Sequence, residues 1–342
     1  MKRFARVIIS GITTFLRRGG GLLYALGLAR IIVRLRRRVP RVVIYHSCSC
    51  VEDAFTLGLQ SNVTPEQFDM HLGVYRSLYA PTTTTAIESG QFPDCAVAIT
   101  LDDGYRSVIE HAVPIMRRHG FVGTVYLTTS AVGNHALLWP NELCWFLSQH
   151  RESTLAAIAQ CAPGLSSDAS AFDAVNYLCA NSSHRSILEM LSSLRSKHGI
   201  DAEELASDAS LYLTWEEVAS LREEGFAFGN HTHTHPDCTK LPRDELVAEM
   251  MASESILQGH SLGKSSFAYP FGANSPADRR VLGEFGFSSV MVLDEIGNSP
   301  IDLRRISRIG SEAKTAALLF ADLEIVSPFR SFVRRVLERS VR

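Results

Sequence analysis

Short apolar runs alternate along the chain with amphipathic segments of helical period. Strands are predicted at residues 41–45, 97–101, 121–128, 226–229, 266–270, 289–293 and 304–309. Capping sequences at 64–67 and 214–217 mark helix starts, and 107–119 and 243–259 are further predicted helices. Strands that alternate with helices of this length predict a parallel sheet or barrel.

The β pattern is interrupted between about residues 137 and 213, where the periodicity is helical. We therefore predict a barrel domain over residues 41–312 that contains a helical insertion at 137–213. Residues 313–342 are predicted to form a helical tail that ends in a basic helix.

The first 40 residues form a basic arm. Residues 1–41 contain eleven basic residues and no acidic one, whereas the whole chain has a net charge of −2. Apolar side chains recur at helical spacing, which predicts a basic amphipathic helix: Phe4, Val7, Ile8, Ile12 and Phe15. No apolar stretch of the arm approaches the roughly 20 residues that span a bilayer. We expect residues 1–38 to contact an anionic membrane surface peripherally, the alternative being that the arm packs on its own domain or on a partner.

The seven cysteines are scattered without a CxxC pair, which argues against a disulfide framework and favours a reducing compartment. The expected location is therefore the cytoplasm or the cytoplasmic face of the inner membrane, with an extracytoplasmic location left open. The basic residues cluster in the arm instead of on a recognised nucleic-acid module, so we expect no nucleic-acid partner.

Acidic and imidazole side chains follow two of the predicted strands. Asp102 and Asp103 come directly after the strand at 97–101, and His231 and His235 come after the strand at 226–229. Such α/β folds keep their sites at the carboxyl ends of parallel strands. Two imidazoles four residues apart share a face if the chain makes a helical turn there, and either aspartate would supply a third ligand. The sequence therefore predicts a divalent-metal site, with His233 stabilising the loop.

Four segments resemble the polysaccharide deacetylase family, which is carbohydrate esterase family 4 with the nodulation-factor deacetylase homology domain. The segments are residues 100–104, 231–236, 267–272 and 42–46. The resemblance implies a distorted (β/α)7-type barrel with the site at its carboxyl-end rim. It also implies metal-dependent hydrolysis that removes N-acetyl groups from an N-acetylated sugar, polysaccharide or glycan precursor.

The resemblance also implies individual roles. Asp103, His231 and His235 would bind the divalent metal, which is usually Zn²⁺, and Asp102 would be the general base that takes a proton from the attacking water. The backbone N–H of Phe271 would hold the oxyanion of the tetrahedral intermediate. Tyr269, in the same segment, belongs to the predicted oxyanion and substrate region.

The sequence departs from the family pattern at two positions. The arginine that orients the base is replaced by Ala268, and we expect a late arginine, Arg308 in preference to Arg304 or Arg305, to take its place. The late histidine that serves as general acid is absent. His46, at the end of the first strand, is a candidate replacement, the alternative being that it packs against the metal loop without transferring protons.

Two other functions remain open at this point. The same barrel would also suit another amide or an O-acetyl ester. The missing late histidine is compatible with a non-catalytic, glycan-binding homologue.

Overall fold

The strands form where the sequence has buried apolar runs. The computed structural model describes residues 2–262, 266–293, 298, 300–310 and 313–340, with side chains from residue 11 to 334 and at residue 336. Every residue of the strands Arg41–Tyr45, Ala96–Leu101 and Gly123–Leu127 is buried. The strands are β1 (Arg41–Tyr45), β2 (Ser47–Cys48), β3 (Asn62–Val63), β4 (Ala80–Thr82), β5 (Ala96–Leu101), β6 (Gly123–Leu127), β7 (Ala227–Asn230), β8 (Phe267–Ala268), β9 (Val290–Val292), β10 (Ile306–Ser307) and β11 (Ile309–Gly310).

The main sheet has the strand order β10-β9-β8-β7-β6-β5-β1-β11, and its described pairings are all parallel. β4 pairs with β5, while β2 and β3 form a separate pair. β10 and β11 lie at opposite ends of this order, yet Arg308 alone separates them in the chain. That segment therefore brings the two ends of the sheet together in a nearly closed barrel, which confirms the predicted distorted (β/α)7 fold.

Helices surround the sheet, and the predicted capping sequences begin two of them. Thr214 and Glu217 form the predicted reciprocal capping box. Only half of the box forms at Thr64, because the Gln67 side chain donates to the Ala313 carbonyl instead. The helices are α1 (Lys2–Ala25), α2 (Ala29–Leu35), α3 (Pro65–Leu78), α4 (Thr84–Glu88), α5 (Val113–His119), α6 (Trp139–Gln149), α7 (Arg151–Cys161), α8 (Ala171–Asn181), α9 (His184–His198), α10 (Ala202–Ala209), α11 (Trp215–Glu223), α12 (Arg243–Gly259), α13 (Pro276–Phe285), α14 (Ala316–Ala321) and α15 (Ser327–Ser340).

Five helices, α6 to α10, occupy the segment that was predicted to be a helical insertion. They have an apolar core of their own, which includes Phe146, Leu178 and Leu191, and this core reaches Phe271 at the barrel rim. The insertion therefore packs next to the strand ends where the predicted site residues lie.

The N-terminal arm packs on the C-terminal helices. Gly20 of α1 lies so close to α14 that a β-carbon at this position would be 2.6 Å from that of Ala321. The Arg17 guanidinium donates to Asp322 over 2.7 Å. One face of the arm therefore packs on its own domain, which is one of the two arrangements expected from the sequence. Within the described part of the chain, no helix has both the length and the apolar character needed to cross a bilayer.

Candidate metal and active site

The turn after β5 places two adjacent carboxylates at the barrel rim. Asp102 and Asp103 are 2% and 5% exposed. Asp103 and Gly104 both have left-handed backbones, with φ of 69° and 76°. A β-carbon at Gly104 would lie 2.9 Å from the end of the Leu127 side chain, and the positive φ would strain any residue other than glycine. The turn therefore lets both neighbouring acids face the site, which a continued strand would not.

The loop after β7 brings two imidazoles together without a helical turn. Thr232 and His235 adopt left-handed backbones, with φ of 71° and 59°. The ring centroids of His231 and His235 are 5.1 Å apart. The predicted proximity is therefore present, but two left-handed residues produce it instead of the helical spacing on which the prediction depended. Strained backbone of this kind costs of order 1–3 kcal/mol per residue and often accompanies functional sites.

Glu249 of α12 stabilises this loop through hydrogen bonds. Its carboxylate accepts hydrogen bonds from the backbone N–H groups of His233 and Thr234, each over 2.9 Å. The Thr234 hydroxyl also donates to Glu249, and His233 contacts the Thr129 hydroxyl through its ring nitrogen over 2.9 Å. His233 thus lies in the loop-stabilising position that was predicted for it.

Asp103, His231 and His235 form a cluster that fits a divalent metal. One ligand atom from each lies within 4.8 Å of the others. The Asp103 Oδ1 atom is 3.2 Å from His235 Nε2 and 3.5 Å from His231 Nε2. This oxygen is buried and has no hydrogen-bond partner in the described part of the chain, which is rare for a buried polar atom. His231 Nδ1 lies 2.8 Å from the Ala268 carbonyl oxygen, to which it can donate, so that Nε2 is left with a free lone pair, as metal-bound histidines require.

Arg308 holds the second aspartate. Its guanidinium donates to both carboxylate oxygens of Asp102, over 2.6 Å and 2.7 Å. Arg308 is 2% exposed and lies over the Tyr126 ring, whereas Arg304 points to solvent. Asp102 Oδ2 is 3.7 Å from His231 Nε2. The structure therefore brings the predicted arginine to the predicted base, beside the metal cluster.

The two aspartates are both ionised at neutral pH. Burial raises the pKa of Asp102, but the charges of Arg308 and His231 outweigh this and lower it overall. Burial likewise opposes ionisation of Asp103, yet His235, His231 and His46 hold its pKa well below the usual value. Arg308 balances the charge of Asp102, whereas the buried Asp103 carboxylate has no arginine or lysine partner in the described part of the chain and favours a cation beside it.

His46 lies at the end of β1 and lines a cleft of about 610 Å³. Arg308 and Asn62 line the same cleft, as do Arg17 and Arg330 from the terminal helices. His46 is half-buried, and its charge is among those that lower the pKa of Asp102. The structure therefore places this histidine at the cleft beside the candidate base.

Side chains of the segment at 267–272 lie in two different places, one at the site and one in the apolar core. The Phe271 ring contacts that of His235, with centroids 4.7 Å apart, and Phe271 has a left-handed backbone with φ of 57°. Tyr269, in contrast, is buried with Phe267 and Leu282 in the apolar cluster under α12 and α13. Because alternate residues of an extended strand share a face, Tyr269 follows Phe267 outwards. The structure thus brings Phe271 to the site but not the Tyr269 side chain.

Two residues that support the site were not predicted. Trp139 of α6 donates from its indole N–H to the His235 carbonyl over 3.0 Å, and its ring lies against Phe271. Glu249 supports the same loop from α12. No local sequence signal marks either residue, because their partners are 96 and 15 or 16 positions away in the chain.

The comparisons with known proteins agree with this geometry. The fold is similar to "Streptococcus pyogenes deacetylase PplD in complex with acetate", with a TM-score of 0.55 and 15% identity over 84% of this chain and 98% of that one. It is also similar to IcaB from Ammonifex degensii, with a TM-score of 0.55 and 16% identity over 84% and 97% of the two chains. A de-N-acetylase from Aggregatibacter actinomycetemcomitans gives 0.50 and 14% over 81% and 97%. These identities show the barrel fold alone.

No curated protein sequence matches the chain. The model of one family, polysaccharide deacetylase, matches residues 89–290, which is more than half of the chain. The match includes the aspartate turn, the histidine loop and the segment at 267–272. The chain belongs to the polysaccharide deacetylase family.

Proposed function

We propose that the chain is a divalent-metal-dependent hydrolase that removes N-acetyl groups from an N-acetylated sugar or polysaccharide. Family membership supports deacetylation of a polysaccharide through hydrolysis of an amide bond. One observation carries the metal dependence. The buried Asp103 Oδ1 has no hydrogen-bond partner and faces two imidazole nitrogens.

Asp103, His231 and His235 would hold the ion, and their nitrogen and oxygen donors suit Zn²⁺. When bound, such an ion polarises the acetyl carbonyl and lowers the pKa of a water molecule towards about 7. Three protein ligands leave one position open to substrate, which is typical of catalytic zinc sites.

Asp102 is the proposed general base. Its carboxylate takes a proton from the water that attacks the acetyl carbon. Both of its oxygens accept from Arg308, which fixes the plane of the carboxylate, and each oxygen retains a lone pair for the water proton. Its lowered pKa keeps it in the unprotonated form that a base requires.

His46 and Phe271 complete the proposed reaction. The backbone N–H of Phe271 donates to the oxygen that becomes negative when water adds to the carbonyl. As the C–N bond breaks, His46 gives a proton to the leaving amine. The water oxygen stays on the acetyl carbon, so the products are acetate and the free amino sugar.

Acetate release from soluble N-acetylglucosamine oligomers by the zinc-loaded protein tests the proposal. Asp102→Asn should lower the rate by about 10²–10⁴-fold while zinc stays bound, since a positioned general base contributes about that much. His235→Ala should lose the zinc. Asp69→Asn, an exposed aspartate on α3, is the control and should keep both properties.

Two results would contradict the proposal. A wild-type protein that binds no divalent metal would exclude the metal site. Bound zinc without acetate release from any N-acetylated glycan would favour the non-catalytic glycan-binding alternative.

A further inference from the structure

Helix α1 exposes an apolar stripe. Ile12, Phe15 and Leu22 are 38%, 74% and 61% exposed, and Leu26, directly after the helix, is 63% exposed. At about 100° per residue these four positions fall within roughly 80° of the helix circumference. Ile31 and Leu35 of α2, which follows α1 after a short turn, are also exposed.

The opposite side of α1 is the side that packs on the domain. In the middle of the helix this side has small or polar residues, with Thr13 and Gly20 buried, and at the end of the helix Leu23 and Tyr24 pack on the apolar core. An amphipathic helix on a globular protein ordinarily buries its apolar residues, whereas α1 leaves Ile12, Phe15 and Leu22 exposed. Exposed apolar side chains aligned along one side of a helix mark a contact with another molecule or a membrane.

Charge identifies the kind of contact. Arg18, Arg30 and Arg34 are exposed next to the apolar side chains, and no acidic residue occurs in the first 41 positions. We define the arm surface as the six apolar residues and these three arginines: Ile12, Phe15, Leu22, Leu26, Ile31, Leu35, Arg18, Arg30 and Arg34. Apolar side chains flanked by arginines match the acyl boundary and the anionic headgroups of a membrane. A second copy of this chain would bring two strongly positive arms together instead.

We propose that the arm surface docks on an anionic lipid bilayer. The helix lies in the interface between the bilayer and water. Its apolar stripe is towards the lipid, and the side that carries Thr13 and Gly20 is on the domain. Neither half of this arrangement requires a membrane-spanning segment.

The same helix forms a wall of the cleft that His46 and Arg308 line. Arg17, which pairs with Asp322 on the packed side of α1, lines the cleft together with His46 and Arg308. Because a helix with its side chains is about 10–12 Å thick, docking brings this wall within roughly that distance of the lipid headgroups. If the proposed function holds, the substrate is an N-acetylated glycan attached to a lipid or held at the membrane surface.

Vesicle co-sedimentation of the full chain tests the docking. We expect binding to an equal mixture of phosphatidylglycerol and phosphatidylcholine, and little binding to phosphatidylcholine alone. The variant Phe15→Ser/Leu22→Ser/Leu26→Ser should bind at least about 100-fold more weakly, since each buried apolar side chain contributes about tenfold or more. The matched control is Val51→Ser/Met251→Ser, whose side chains are 73% and 62% exposed away from the arm and should not affect binding.

Three results would overturn the docking proposal: a wild-type protein that ignores anionic vesicles, equal binding by wild type and the triple variant, or equal binding to neutral and anionic vesicles. A dimer in solution that the triple variant abolishes, without vesicle binding, would assign the stripe to a second copy.

Rates of acetate release from soluble and vesicle-borne substrates distinguish this inference from the proposed function. The triple variant should release acetate from soluble N-acetylglucosamine oligomers at the wild-type rate, but lose the advantage of wild type on an N-acetylglucosaminyl lipid in anionic vesicles. Vesicle binding without hydrolysis of either substrate would refute the proposed function and leave docking intact. Equal rates of both proteins on the vesicle-borne substrate would refute the inference about substrate class.

Discussion

Replacing Arg308 by methionine removes the partner of the candidate base. The change deletes two hydrogen bonds, of 2.6 Å and 2.7 Å, and leaves the Asp102 carboxylate almost fully buried. Methionine is unbranched like the stem of arginine and fills the space of that stem. The main effect is therefore an uncompensated buried charge and not a cavity.

The expected loss of stability is large. Removing one partner of a buried ion pair costs about 3–5 kcal/mol. His231 Nε2 remains 3.7 Å from the carboxylate, so we expect the lower end of this range. At roughly 2 °C per kcal/mol for a chain of this size, about 3 kcal/mol lowers the Tm by about 6 °C. Arg308→Lys keeps the charge but not the two-pronged geometry, so its effect should be smaller.

Activity should fall further than stability alone explains. A base whose carboxylate plane is no longer fixed loses the alignment on which proton transfer depends, and we expect acetate release to fall by about 10²-fold or more. Zinc content should stay at the wild-type level because Arg308 contacts none of the three metal-site residues through a hydrogen bond in the described chain. In the double variant with Asp102→Asn, the two losses of activity should not add.

Arg304→Met is the matched control, because Arg304 lies on the same segment but points to solvent. It should leave both Tm and acetate release within the error of wild type. Wild-type activity in Arg308→Met would refute the positioning role of Arg308, as would additive losses in the double variant. Loss of zinc in Arg308→Met would instead assign Arg308 to the metal site.

The remaining predictions concern the metal, the arm and pH. A chelator should lower the Tm of wild type but not of His235→Ala, which lacks a ligand, when both are followed by thermal unfolding. Gly20→Leu should separate α1 from α14, because its side chain would overlap Ala321, and limited trypsin digestion should then cut the arm faster than in Gly19→Leu, whose site is open. Burial lowers the pKa of His71 below 6.5, so the unfolded chain takes up a proton first as the pH falls. Stability in urea should therefore drop between about pH 7 and pH 5, and less so in His71→Gln.

The strands could be predicted because their periodicity is local. The strand at residues 41–45 has its predicted bounds, and β5, β6 and β7 differ from their predictions by at most two residues at either end. The segment at 304–309 was predicted as one strand, whereas it contributes β10 and β11 to opposite ends of the sheet. Its pairing depends on partners at Val292 and Val43, and no local pattern specifies them.

At the site, too, features that depend on neighbouring residues could be predicted, and features that depend on distant partners could not. The aspartate turn and the histidine loop could be located from residue type and spacing, since both follow strands. Strand alternation predicts that Tyr269 points outwards like Phe267, whereas its place in the family segment predicts that it lies at the site. The structure follows the alternation. Trp139 and Glu249 could not be found, because their partners are close in space but not in sequence.

The split strand also explains how the barrel and the candidate base depend on each other. Ile306 and Ala98 lie together in the apolar cluster inside the barrel. Arg308 lies on the same side of its strand as Ile306, Asp102 lies on the same side as Ala98, and the two meet nearer the rim. Arg308 is therefore both the residue at which the two ends of the sheet meet and the one that fixes the carboxylate. A change that loosens this closure should disturb the base while the metal site, built on β5 and β7, stays intact. Zinc affinity and acetate release would then respond separately to the same substitution.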